Sequence, residues 1–417
     1  AEDEKDETDA SLNVKYDTAD HKKDEITKDG VKYYLTAKEL KDDSKPATGD
    51  VVEGTTTVTY VYEKAGSVIV NYQTEDGTPL VGTADGANVE SGVKDTTDAK
   101  AGTDYNTADN GMKPSRITTA EGKVYELVPT ATKGDETGKV VAGQTLEVTY
   151  VYQEVKGNVI VKFQDTEGNT ISEDENDETN ASLNTNYNTS EHKKATIVKD
   201  GVTYYLTDKA LKDGSKPEEG PVVEGTTEVT YVYEKAGSVI VNYQTEDGTP
   251  LVGTADGKDV VSGVKDTDNG KPGSEYNTAD NGMKPTRITT AEGKVYELVP
   301  ASTKGNENGS IEAGKTTEVT YVYKEIKGNV VVHYTDEAGN TIAEDVKDTT
   351  DGSISSAYDT TDNKLATITT KDGKKYVLVP TATKGAETGK VTEGTTEVTY
   401  VYKDVKEEAS KEIDKAL

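Results

Sequence analysis

Thr145-Leu-Glu-Val-Thr-Tyr-Val-Tyr152 is the stretch on which the fold turns. Apolar side chains at every second position place Leu146, Val148, Tyr150 and Tyr152 on one face, the period of a half-buried β-strand. Its core Thr-Tyr-Val-Tyr recurs at 59–62, 149–152, 230–233, 320–323 and 399–402, with wide and narrow spacings in turn. Recurrence of this kind marks a repeat architecture. Long and short units alternate, so the true repeat is a pair of units, and Glu63–Tyr72 returns unchanged as Glu234–Tyr243.

Working outward from that strand, every full unit follows one plan. It opens with an alternating strand, at Gly66–Tyr72, Gly157–Phe163, Gly237–Tyr243 and Gly328–Tyr334. A turn such as Glu75-Asp-Gly77 or Glu167-Gly-Asn169 follows, with residues that accept positive φ. A polar stretch leads to Tyr105, Tyr187, Tyr276 or Tyr358, each in a Tyr-x-Thr element. A hairpin around Ala120-Glu-Gly122 comes next, and then the closing strand. No stretch within a unit holds a helical period, so any helix there is short.

These marks divide the chain into six parts. Residues 1–64 form a truncated repeat, 65–155 a long repeat, 156–235 a short one, 236–326 a long one and 327–404 a short one. Val405, Ala409, Ile413 and Leu417 recur every four residues, so 405–417 reads as the start of a helical region. The first repeat is truncated because Ala1–Thr8 aligns with Ser172–Thr179, which leaves no opening strand. Its sheet edge is then unpaired, and residues 1–64 are expected to be less stable than 172–235. Between Tyr62 and Gly66 lie only Glu63, Lys64 and Ala65, a joint shorter than a flexible tether. The expected class is mainly β (α+β) in small modules, a tandem array of about five repeats that makes an elongated rod.

Composition agrees. Apolar residues are 32% of the chain, with 25 Tyr, one Phe and no Trp, a profile for several small domains with thin cores. The net charge of −31 repels phosphate backbones and anionic lipid, which argues against nucleic-acid partners. It keeps a long exposed molecule soluble and suits a monomer. No apolar run approaches a membrane span, so insertion is not expected. Without cysteine, disulfides, thiolate metal sites and cysteine nucleophiles are excluded.

The segments Gly328–Tyr334, Asp336–Asn340, Tyr358-Asp-Thr360, Tyr376–Pro380 and Gly394–Tyr402, in that order, resemble the MucBP-type and streptococcal surface repeat (SSURE) units of wall-anchored adhesins. The paired long and short units look closest to the fibronectin- and plasminogen-binding adherence factors of streptococci. The resemblance covers nearly all of the chain but its last dozen residues. It implies a β-grasp-like module and an extracellular, cell-wall-anchored setting on a Gram-positive cell, with signal peptide and sorting motif outside these residues. It also implies fibronectin and plasminogen as partners, with mucin as a further one. No residue-level binding motif carries over, so the partner-binding residues stay unassigned.

The residues themselves point away from catalysis. His21, His192 and His333 are not spaced to chelate together, no serine sits in a nucleophile elbow, and no carboxylate pair has an apolar setting. No cofactor is implied. Asp95–Asp98, Asp174–Thr179 and Asp359–Asp362 offer hard oxygen ligands for calcium, but match no EF-hand and equally suit turns. Tyr60 and Tyr62 and their counterparts could form a recognition face, yet with almost no Phe they must supply the core. The pairs Lys22-Lys23 and Lys193-Lys194 offer a route to plasminogen, whose kringles bind lysine, or are simply solvated. Two functions compete: multivalent binding of host matrix or plasma proteins, and a passive stalk for a separate adhesive tip.

Overall fold

The computed structural model describes residues 1–406 and 414–417. Short β-strands make up most of it, and the helical turns between strands are 3-10 segments of three or four residues. Val, Thr and Tyr fit a pleated, half-buried surface, and Gly and Asp at positive φ punctuate it. Gly77, at φ +89°, closes the first turn of the second repeat, its N–H donating to Thr74 O at 3.0 Å.

The second repeat shows the plan. Its opening strand, Gly66–Thr74, runs parallel to the closing strand, with Ser67 opposite Thr145 and Thr74 opposite Tyr152. The strand Val93–Ala99 lies antiparallel on the far side of the opening strand. The hairpin Arg116–Thr118 and Val124–Leu127 lies antiparallel on the far side of the closing strand. First and last strands thus form a parallel central pair flanked by antiparallel partners, the β-grasp order. A parallel pair requires a long crossover. Here it is filled by the two outer elements and by a two-stranded patch, Asp104–Asn106 with Thr137–Lys139. The core gathers Val68, Val70 and Tyr72 from one central strand and Val148, Tyr150 and Tyr152 from the other, closed by Ile117, Leu80, Val89, Tyr105 and Val140.

The difference between long and short repeats is one small hairpin. Gly82–Ala84 pairs with Ala87–Val89, and Gly253–Ala255 with Lys258–Val260. The sequence reads as a polar stretch there, because three-residue strands with one buried Val are too short to show a period. In the short repeats a single strand, Thr170–Ser182 or Thr341–Ser353, takes its place.

Contacts gather the chain into two units, one of residues 1–163, 172–194 and 211–231, the other of 164–171, 195–210 and 232–417. The joints between repeats are tighter than a three-residue link. One strand runs from Thr145 to Asp165 and another from Thr316 to Asp336, each closing one repeat and opening the next without a break. The other joints interrupt the ladder at only one residue, Ala65 or Ala236.

Side chains brace these joints. In the first unit Arg116 grips Glu224 with two bonds of 3.0 and 3.1 Å, and Asn184 Nδ2 donates to Gly122 O at 2.6 Å. In the second unit Arg287 grips Glu393 at the same two distances. At the interrupted joints the Tyr34 hydroxyl donates to Asp98 O, and the Tyr205 hydroxyl to Asn269 O, both at 2.6 Å. At the C-terminal end Val405, Lys406 and residues 414–416 are helical. Ala409 and Ile413 lie outside the described residues.

Candidate binding surface

The closing-strand tyrosines of the second to fifth repeats are buried. Tyr150, Tyr152, Tyr231, Tyr233, Tyr321, Tyr323, Tyr400 and Tyr402 have no exposed surface. Each hydroxyl that ends in the core finds a partner, as buried polar groups must. Tyr150 OH lies 2.7 Å from Thr107 Oγ1 and donates to Glu136 Oε1 at 2.9 Å. Lys113, 2.7 Å from that carboxylate, holds Glu136 below the usual range, and the Tyr150 hydroxyl bonded to it adds to the effect. Burial raises Tyr150 and Tyr152 well above an ordinary phenol, and pushes Tyr72 up to about 12. These rings cannot be the contact face. Tyr60 and Tyr62, in the first repeat, are partly exposed.

The histidines sit among carboxylates, a setting that spacing alone does not reveal. His192 places Nδ1 2.9 Å from Glu175 and Nε2 3.2 Å from Asp177. His21 does the same with Glu4 at 2.7 Å and Asp6 at 3.2 Å, and the hydrogen bond to Glu4 raises its pKa. His333 bonds Asp345 at 2.8 Å and is raised by it. Glu4 and Glu175 stand well upstream of His21 and His192, too far along the chain for a local motif to show.

The lysine pairs are tethered. Lys22 reaches Glu39 at 3.1 Å and Lys23 reaches Glu4 at 2.9 Å. Lys193 reaches Glu218 at 3.2 Å, and Lys194 reaches Glu175 at 2.6 Å while standing 4.5 Å over the Phe163 ring.

The acidic runs engage their own surroundings. Asp359 caps a 3-10 turn by accepting from Thr361 N at 2.9 Å, Asp95 accepts from Thr96 Oγ1 at 2.8 Å, and Asp174 bonds Lys162 at 2.9 Å. Ligand atoms of Asp6, Asp20 and His21 also come within 4.8 Å of one another, close enough to hold a cation.

The exposed surface repeats along the chain. Isolated aliphatics stay exposed at matched places two repeats apart: Val31 and Val202, Val81 and Val252, Val93 and Val264. Every pair of repeats therefore presents the same mosaic again.

The family model of the MucBP domain matches residues 3–63, 67–153, 158–234, 238–324 and 329–403. The muramidase-released protein of Streptococcus suis is 42% identical over 286 residues, which is 62% of this chain and 22% of that protein. The chain therefore spans about a fifth of the length of this curated relative. Two solved structures are similar at low scores. Domains 3–4 of streptococcal high identity repeats in tandem, from a cell surface protein, match with 12% identity and a TM-score of 0.20, covering 40% of this chain and 98% of that one. The Bacillus anthracis TIE protein matches with 11% identity and a TM-score of 0.23, covering 83% of this chain and 71% of that one. Likenesses this weak have no bearing on function. These matches support a MucBP-type repeat surface protein, and not the narrower kinship with the fibronectin- and plasminogen-binding adherence factors.

Proposed function

The chain belongs to the MucBP domain family, and from that premise we propose that it is the repeat region of a bacterial surface adhesin, displayed outside the cell and anchored to its wall, whose repeats bind host proteins multivalently. The observation that carries the reading is the return, in the third and fourth repeats, of the exposed mosaic of the first and second on a core rich in buried tyrosine. Repetition makes each further contact intramolecular and raises avidity without new chemistry. Fibronectin and plasminogen are the favoured partners, from the resemblance of the paired repeats, and mucin follows from the family. The lysines that would meet a kringle are held by acids, so plasminogen binding would require one of these pairs to open.

A second reading has its own support. Bidentate Arg116–Glu224 and Arg287–Glu393 brace successive repeats, which suits a stalk that carries a separate adhesive tip. Binding decides between them. Immobilised chain is exposed to fibronectin, plasminogen and mucin at physiological salt; saturable binding of any one supports the adhesive repeat. Silence with all three at micromolar concentration leaves the stalk.

A further inference from the structure

The parallel central pair decides how a repeat meets tension. The chain enters the second repeat at the start of the opening strand, Gly66–Thr74, and leaves it at the end of the closing strand, near Tyr152. The two strands run parallel, from Ser67 opposite Thr145 to Thr74 opposite Tyr152. Entry and exit therefore lie at opposite ends of one ladder of eight paired positions. Tension along the chain loads all of its bonds together, in shear. Strands pulled apart from one shared end give way one bond at a time instead. The fourth repeat has the same ladder, 238–245 beside 316–323, and the fifth has 328–336 beside 394–402.

Side chains lock the same two strands against sliding. The Tyr72 ring, from the opening strand, stands 6.3 Å from the rings of both Tyr150 and Tyr152 in the closing strand. Sliding must carry one ring past another inside a close-packed core. The hydroxyls add a second lock. Tyr72 donates to Met112 O at 2.6 Å and Tyr152 to Pro114 O at 2.7 Å, so both strands are tied to one short segment of the crossover. Tyr243 and Tyr323 make the same ties to Met283 O and Pro285 O, and Tyr334 and Tyr402 to Asn363 O and Leu365 O. Just past the ladder, the hairpin strand Val124–Leu127 pairs with residues 152–155, so the exit from the repeat is held as well.

We propose that these repeats are shear clamps, elements that carry tension along the chain and stay folded under it. The source of the tension rests on the reading of the chain as a wall-anchored adhesin; the clamp itself does not. It serves binding repeats and a stalk alike, because either must hold while a bound cell is pulled.

The test pulls one repeat of the full chain in two directions. The chain has no cysteine, so paired substitutions place the handles. Lys64→Cys with Gln153→Cys pulls the central strands along their length. Lys64→Cys with Gln144→Cys pulls at one end, where Ser67 N donates to Gln144 O at 3.0 Å, and peels them apart. All three side chains are exposed. Either pair releases about 270 Å of chain at about 3.4 Å per residue, so a step of that length marks a repeat that was folded. At one constant force the sheared repeat is expected to last at least about a hundredfold longer than the peeled one. Tyr72→Phe keeps the ring and removes the tie to Met112 O. It is expected to shorten the sheared lifetime about fivefold and to leave the peeled one nearly unchanged, since peeling starts at the far end of the strand. Should a handle disturb the second repeat, Lys235→Cys with Lys324→Cys or Lys315→Cys repeats the test in the fourth, again at exposed positions. Equal lifetimes in the two directions overturn the proposal, and so does a Tyr72→Phe loss that is the same in both. The measurement needs no binding partner, so its outcome is separate from that of the binding assay.

Discussion

Tyr150→Ala separates a core tyrosine from a contact tyrosine. The ring is fully buried, stands 6.3 Å from the Tyr72 ring, and its hydroxyl is shared with Thr107 and Glu136. Deleting a buried aromatic of this kind costs about 3–5 kcal/mol from lost transfer energy and the cavity left behind. About 1 kcal/mol of that belongs to the hydroxyl, which leaves Glu136 and Thr107 with one partner fewer. Amide exchange by mass spectrometry reads the loss locally, at 145–152 and at the parallel strand 66–74. A cost of about 3–5 kcal/mol is a hundred- to several-thousand-fold faster exchange there. The same change at Tyr60, whose side chain is partly exposed, is expected to cost less, by its smaller buried area. Exchange accelerated by less than about tenfold, or partner binding lost while the fold stays intact, would contradict a core role for Tyr150.

Three further outcomes follow from the same geometry. Gly328→Ala would drive a Cβ into the Thr392 carbonyl oxygen, so the last repeat should lose about 1–3 kcal/mol and melt earlier by calorimetry; an unchanged melting temperature would contradict the close approach. Tyr72 and Tyr243, raised to about 12 by burial, favour the neutral phenol in the fold. Their stabilisation is therefore complete below the ordinary value of about 10 and lost as pH rises from there to about 12, and absorbance at alkaline pH should show them ionising with unfolding. Arg116→Ala removes an exposed ion pair worth about 0–1 kcal/mol, so melting should barely move while exchange near Glu224 quickens.

Much of this was legible in the residues, and for identifiable reasons. The period-two pattern of Thr145–Tyr152 marks a closing strand wherever it recurs, and scarcity of Phe forces Tyr into the core. Two features escaped. The small hairpin at Gly82–Val89 is built of three-residue strands that show no periodicity. The unbroken strand through Tyr152–Gly157 was hidden by Gln153, Glu154 and Lys156, which read as a link but pair with the hairpin or face solvent. The histidine–carboxylate clusters needed the fold, since Glu175 and His192 meet only when two separate segments are brought together. The face that meets a partner carries no such mark, because exposed mosaics obey no periodicity.

Multivalent adhesion is tested most directly by the dependence of dissociation on repeat number. The full chain and residues 66–235 are each passed over surfaces bearing fibronectin, plasminogen or mucin, and dissociation is timed. Multivalent repeats make the longer array leave one of these surfaces about a hundredfold or more slowly, the gain that linked contacts give. Equal dissociation rates, or binding by neither, would contradict it.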